Sequence, residues 1–256
     1  SKGRFVLGLG SQIRAHITKR FSMPWSSPAA RMREFILAMR AIWDNWHEGK
    51  ALEFAGKFYT HTLMTPFFTP SGNDFGAPKV FLAAVGPKMT EVAGEVADGM
   101  IVHAFTTEKY LRETTLPSLE KGFAKAGKTR ADFEISYPVF VCTGQTEEEL
   151  EEAKRATAQQ IAFYGSTPAY KPVLDSIGVG ELQGDLNSMS KQGRWVEMGE
   201  LITPEIMSEF AIIGEPDKVA GQIRSRYGDI VDRTSAAYAN IPKSERIKII
   251  SELSAG

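Results

Sequence analysis

A parallel α/β fold, a βα barrel with only part of its ring in this chain, is the fold class the sequence predicts. Three observations predict it. The run from Lys79 to His103 reads as strand, Gly-Pro turn, helix and second strand, with little more than the helix separating two parallel strands. Val80 to Val85 is continuously apolar, which suits a strand buried on both faces with helices packed outside it. Strand-like runs near residues 5, 82, 101, 138 and 236 alternate with helical patterns. A closed barrel needs eight such strands in about 250 residues, so about three units are expected to be missing from the front. The alternative is an open five-stranded α/β sheet that is complete as it stands.

Each element has its own warrant. Arg4 to Gly10 is a strand leading into a Gly-containing turn, with no leader before it, as though part of a domain had been removed. Ser27 and Pro28 supply an N-cap and a first-turn proline. Ala29, Met32, Phe35, Ile36, Met39, Ile42, Trp43 and Trp46 then recur at helical spacing up to Gly49. Glu53 to Thr62 predicts a short hairpin, and Pro66 to Pro78 a loop. Pro87 opens a helix whose Met89, Val92, Ala93 and Val96 face the sheet, and Asp98-Gly99 closes it before the strand Met100 to Val102. A helix over about 107–127 and a strand over 133–143 follow.

Thr146 and Glu149 form a capping box ahead of a helix with Leu150, Ala153, Thr157, Ile161 and Tyr164 inward. Residues 165–210 carry short helical patterns with Gly-rich joints, read as an insertion over the barrel mouth. Gly214 to Asp217 starts a helix with Val219, Ile223 and Tyr227 inward and Gly228 at its end. The strand Arg233 to Ala239 and the helix Ser244 to Leu253 close the chain. The whole is read as one domain over 1–256.

Composition narrows the function. The 256 residues are 43% hydrophobic and 24% charged with a formal net charge of -1, so nothing points to nucleic acid or membrane partners. Neither signal peptide nor membrane-length apolar run appears, and a cytoplasmic protein is expected. The single cysteine, Cys142, lies in a strand-like run and reads as a small core residue. Histidines 16, 47, 61 and 103 make no metal-ligand spacing, so no metal is expected.

The strand-turn-helix at Gly86-Pro87-Lys88 points to an anionic ligand. Free N–H groups and the positive end of the helix dipole meet the carboxyl end of a strand there, Gly86 permits close approach, and Lys88 adds a cation. The other reading is an ordinary helix start whose Gly and Pro serve only the turn. Gly8-Leu-Gly10 lacks the third glycine of a dinucleotide fingerprint.

Several segments together resemble one family. They are GRFVLGLGSQIRAHITKRF, MPWSSPAARMREFILAMRAIW, VFLAAVGPKMTEVAGEVADGMIVH, QQIAFYGSTPAY and FAIIGEPDKVAGQIRSRYG. The chain resembles the bacterial luciferase-like monooxygenase superfamily and, within it, the oxidoreductases that use the deazaflavin coenzyme F-420. The resemblance implies a TIM (β/α)8 barrel of the luciferase-like type, with an insertion region near 165–210. The first strand here matches the family's fourth, which implies roughly 80 to 100 further residues before Ser1. It implies a hydride transfer between coenzyme F-420 and a small organic substrate, with FMN-dependent monooxygenation as the alternative. From another class, a non-catalytic flavin-binding or interaction fragment is the rival. A homodimer, or an N-terminal segment, is expected to cover exposed strand edges.

Residue by residue, the resemblance maps the family's phosphate loop onto Ala83, Ala84, Val85, Gly86, Pro87, Lys88 and Met89. It places the loop from Ser11 to His16 against the coenzyme ring, at the strand end where this fold puts chemistry, with Ser11 as a contact and His16 as the candidate catalytic group. A relative has a carboxylate near Ile13 and an amide near His16, so the acid is lost here and a polar group kept. Some relatives hold a substrate phosphate with a lysine after the next strand. Ala104-Phe-Thr-Thr107 has none, which argues against a sugar phosphate. Met23, Pro24 and Trp25 are read as an apolar wall, Phe163 and Tyr164 as an aromatic pair at a cavity, and His103 as a pocket or buried residue.

Overall fold

The computed structural model describes residues 1–234 and 242–255, which form two compact units. The first comprises residues 1–101 and 117–134, the second 102–116 and 135–256.

In the first unit, β1 (Val6–Leu9) leads into a helical turn and then α1 (Pro28–Glu48). The Ser11 to His16 loop is shorter than expected: residues 14–20 are helical, and His16–Arg20 is a π turn with the Phe21 N–H bonded to the His16 carbonyl at 2.9 Å. Pro28 sits in the first turn of α1 as expected, and Gly49 ends it at φ 67°, a conformation that favours glycine. Ser27 occupies the N-cap position and its carbonyl accepts the Arg31 N–H at 2.9 Å, but at φ 42° it makes no side-chain capping bond. Only Ile36 of the predicted stripe is fully buried, with Ala38 beside it; the rest of the stripe is half-buried.

β2 (Phe54–Ala55) and β3 (Thr60–His61) form the expected antiparallel hairpin. Its turn is clamped by Glu34 of α1, whose carboxylate accepts the backbone N–H groups of Lys57, Phe58 and Tyr59 at 3.0, 2.5 and 2.7 Å. Partial burial works against it, but these three bonds and the nearby Arg31 hold the Glu34 carboxyl below its usual range. Gly56 is required here, because a Cβ would sit 2.2 Å from the Glu34 Oε1.

β4 (Lys79–Ala84) pairs in parallel with β1, Leu9 opposite Leu82. α2 (Pro87–Val96) and β5 (Gly99–Val102) complete the crossover, and the strand order is β1-β4-β5. Asp98 ties the crossover together: its carboxylate accepts the Val80 N–H at 2.8 Å and Arg40 Nη2 at 2.9 Å.

The predicted helix over 107–127 is three segments. α3 (Glu108–Tyr110) passes through a π turn (Leu111–Thr115) into α4 (Leu116–Ala126). Pro117, which has no N–H to give to the preceding turn, accounts for the break.

The second unit holds β6 (Glu134–Tyr137), which begins at the boundary, and β7 (Phe140–Cys142), where one strand over 133–143 was expected. Pro138 interrupts the ladder between them. β6 pairs in parallel with β9 (Arg233–Thr234), and β7 pairs in parallel with β8 (Ala211–Ile213), a strand the sequence reading missed. Ala211 to Ile213 is too short to show a period before its Gly-Glu-Pro turn. Of the strand expected over 233–239, residues 235–239 lie outside the described residues.

α5 (Glu147–Gly165) starts on the predicted capping box: the Glu149 N–H bonds Thr146 Oγ1 at 3.2 Å and the Thr146 N–H bonds Glu149 Oε2 at 3.3 Å. The expected short helices follow as α6 (Lys171–Ser176), α7 (Leu182–Lys191), α8 (Trp195–Gly199) and α9 (Pro204–Phe210). α10 (Pro216–Tyr227) buries Val219, Ile223 and Tyr227 as predicted, and α11 (Lys243–Ser254) packs on it. No helix among the described residues is long and apolar enough to cross a membrane.

Candidate functional site

β1 and β4 run side by side in the same direction, so the turns that follow them leave from one edge of the first unit. A Cβ at Gly10 would lie 3.5 Å from that of Ala83, which shows how closely the two strand ends approach. In parallel α/β folds this carboxyl edge is where ligands bind.

The β4 turn opens a helix start toward the carboxyl edge. Gly86 is extended at φ -79° and ψ 155°, and its carbonyl accepts the N–H groups of Met89 and Thr90 and the buried Thr90 hydroxyl, at 3.2, 3.1 and 3.1 Å. Those bonds fix the first turn of α2. Pro87 has no N–H to leave unpaired, so the Lys88 N–H is the first free donor of the helix. Ala84 is buried, Val85, Gly86 and Met89 are half-buried, and Pro87 and Lys88 are exposed. Beyond Val85 and Pro87, no protein atom lies within 4 Å of where a Gly86 Cβ would sit. The space above the turn is open, and among the described residues Lys88 makes no ion pair there. The residues present therefore fit a phosphate.

The β1 end borders a cavity of about 390 Å³. Leu9, Gly10 and Ser11 at the end of β1, Ile17, Pro24, Trp25 and Ser26 of the following segment, Pro28, Arg31, Met32 and Phe35 of α1, and Tyr59 line it. This volume lies in the range of small-ligand pockets. Ser11, Pro24 and Trp25 are thus brought together as expected, whereas Met23 is 59% exposed and is not among the lining residues. His16 does not line the cavity either; its Nδ1 faces Gln12 Oε1 at 3.1 Å, while its neighbour Ile17 does line it.

Sequence reasoning missed Arg31, Met32, Phe35 and Tyr59 as cavity residues, having assigned Met32 and Phe35 to a core stripe. The available signal was Pro28. It marks the start of the helix after β1, and the first turns of such a helix stand at the strand's carboxyl edge.

His103, in the second unit, is held in an aromatic cluster. Tyr164 meets it edge-on at 4.7 Å and Tyr170 lies at 4.9 Å, while Phe105 stacks on Phe210 at 4.7 Å. The Phe105 N–H donates to His103 Nδ1 at 3.0 Å, so the proton of the neutral ring resides on Nε2. Burial lowers its pKa from the ordinary value. Tyr164 therefore packs on a histidine, and Phe163, 52% exposed, meets Tyr164 edge-on at 5.4 Å and lies 5.9 Å from Trp195. Phe105 to Thr107 are buried, and Thr107 caps α3 through the Tyr110 N–H at 3.1 Å. Burial pushes the Cys142 thiol up, in keeping with an inert core residue. Among the described residues no cluster of side chains suits a metal ion.

Parallel βα units whose strand-end turns border a cavity of this size define a class of α/β folds in which ligands bind at the carboxyl edge of the sheet. Within that class the chain belongs to the luciferase-like monooxygenase family, whose model matches residues 1–233. It is 52% identical to an uncharacterised protein of Mycobacterium tuberculosis, over 91% of this chain and 68% of that one. It is 32% identical to a coenzyme F-420-dependent glucose-6-phosphate dehydrogenase of Beutenbergia cavernae, over 52% of this chain and 38% of the relative. The solved coenzyme F-420-dependent tetrahydromethanopterin reductase of Methanopyrus kandleri shares the fold. Its TM-score is 0.76 at 21% identity, covering 97% of this chain and 72% of the reductase.

Proposed function

We propose that this chain carries the catalytic fold of an oxidoreductase that moves a hydride between coenzyme F-420 and a small organic substrate. The observation that carries the reading is the pairing of two adjacent strand ends, one with an open phosphate turn and the other with an apolar cavity. A relative that depends on the same coenzyme supports the choice of deazaflavin. Gly86, Lys88 and the first turn of α2 would hold the phosphate tail, with Ala84, Val85, Pro87 and Met89 shaping the turn. Ser11 and the β1 turn would stand against the ring. When bound, the coenzyme supplies the hydride chemistry. The chain's part is to orient the two reactants and, with Trp25, Phe35 and Tyr59, to keep water from the cavity.

His16 acts in this proposal as a hydrogen-bonding group at the edge of the site, steadied by Gln12. The Ala104 to Thr107 stretch, buried from Phe105 on, offers no lysine for a sugar phosphate, so the substrate differs from that of the glucose-6-phosphate dehydrogenase relative. The test is a fluorescence titration with coenzyme F-420 and separately with FMN, repeated on Lys88→Ala. Saturable binding of the deazaflavin that weakens in the variant supports the reading. Saturable binding of FMN alone would favour a flavin monooxygenase, and binding of neither by folded protein would favour a non-catalytic role.

A further inference from the structure

Arg31 is the single cation among the residues lining the cavity at the end of β1. It stands one turn into α1, and its placement is fixed from two sides. Its guanidinium carbon lies 4.5 Å from the centre of the Phe58 ring, and its Nη2 donates to Ser26 Oγ at 2.8 Å. That bond uses one of five guanidinium N–H donors. Among the described residues no carboxylate lies within ion-pair distance of it. The nearest acid along the helix, Glu34, is committed to three backbone N–H groups of the hairpin. A half-buried, oriented arginine with no salt-bridge partner among the described residues, its charge felt by Glu34 alongside, therefore lines a cavity whose other walls include Leu9, Ile17, Trp25, Met32, Phe35 and Tyr59.

We infer that Arg31 selects the substrate: a flat, largely apolar molecule carrying one carboxylate, its body against Trp25 and Phe35 and its anion on the arginine. This rests on the oxidoreductase reading for the word substrate, but the site can be tested without turnover. A planar guanidinium matches a carboxylate through two parallel hydrogen bonds, which a neutral amide cannot reproduce.

Calorimetric titration with 2-naphthoate and with its neutral isostere 2-naphthamide provides the probe. The expected result is that naphthoate binds at least about ten-fold more tightly than the amide, as a charge-assisted pair implies. Arg31→Met, which keeps apolar bulk over Phe58, should abolish that preference and leave amide binding in place. Arg31→Lys should retain only part of it, and it serves as the second variant if the methionine form does not fold. Equal binding of the two probes by the unaltered protein, or a preference that persists in Arg31→Met, overturns the inference. So does a loss of coenzyme F-420 binding in Arg31→Met as large as that in Lys88→Ala, which would assign the arginine to the coenzyme. A carboxylate preference that depends on Arg31 in a protein binding no F-420 would sink the proposed function and still support the anion site.

Discussion

Gly86→Ala separates ligand binding from folding. The backbone there has φ -79° and ψ 155°, a region open to alanine, and no protein atom beyond the two chain neighbours lies within 4 Å of the new methyl group. The folded state therefore pays no strain, and the unfolded chain loses freedom, which stabilises the protein by about 0.4 to 1 kcal/mol. The same methyl group narrows the open space over the first turn of α2, through which a phosphate would reach the free Lys88 N–H. Displacing one phosphate oxygen from a backbone donor removes a charge-assisted hydrogen bond of about 1.5 to 3 kcal/mol. At about 1.4 kcal/mol per factor of ten, affinity for coenzyme F-420 should fall roughly 10- to 150-fold. Thermal unfolding and a fluorescence titration on the same sample read both effects. A variant that binds the coenzyme as tightly as the parent would refute the phosphate turn. One that melts well below the parent would refute the claim that the space is empty.

Other glycines behave differently for the same physical reason. In Gly122→Ala the new Cβ would fall 2.1 Å from the Glu91 carbonyl oxygen where α4 meets α2, so overpacking of about 1 to 3 kcal/mol should exceed the helix-propensity gain of about 1 kcal/mol. Gly221→Ala in α10 meets nothing within 4 Å and should stabilise by about that gain; urea unfolding that shifts both variants in one direction would contradict the packing. The His103 ring is buried and accepts an N–H at Nδ1, so its folded pKa lies below the unfolded value of about 6.5. The unfolded chain then binds more protons, and stability falls as pH drops through about 6.5, levelling off below the folded pKa. His103→Phe should flatten that limb of a plot of Tm against pH. Thr146→Ala should cost about 1 kcal/mol by removing one half of the capping box of α5, measured by denaturant titration.

The elements that were legible in the sequence are those whose signal is local. Pro87 after an apolar run, the Thr146 and Glu149 box and Gly49 each act on their immediate neighbours, and the structure places them as read. The features that were misread depend on partners far along the chain. β8 is a strand because β7 is available to pair with it, and Pro138 divides one apolar run between two partner strands, β8 and β9. In the site, the turn at Gly86 could be read because a helix start carries its own residues. The cavity could not, since Tyr59 reaches it from a hairpin whose turn is clamped by Glu34 of α1. Met32 and Phe35 fit a core stripe and a cavity wall equally well by spacing, and only burial distinguishes the two.

The pairing of β7 with β8 also bears on how such a chain can diversify. Phe140 to Cys142 lie directly against Ala211 to Ile213, so everything from α5 to α9 is a closed loop whose two ends are stitched together at its base. The entropic cost of such a loop grows only logarithmically, by about 0.6 kcal/mol for each doubling of its length. Helices can be added, shortened or replaced inside it while the ladder at its base keeps its register. The segment is thus an evolutionary cassette, able to change its contents without renegotiating the rest of the fold.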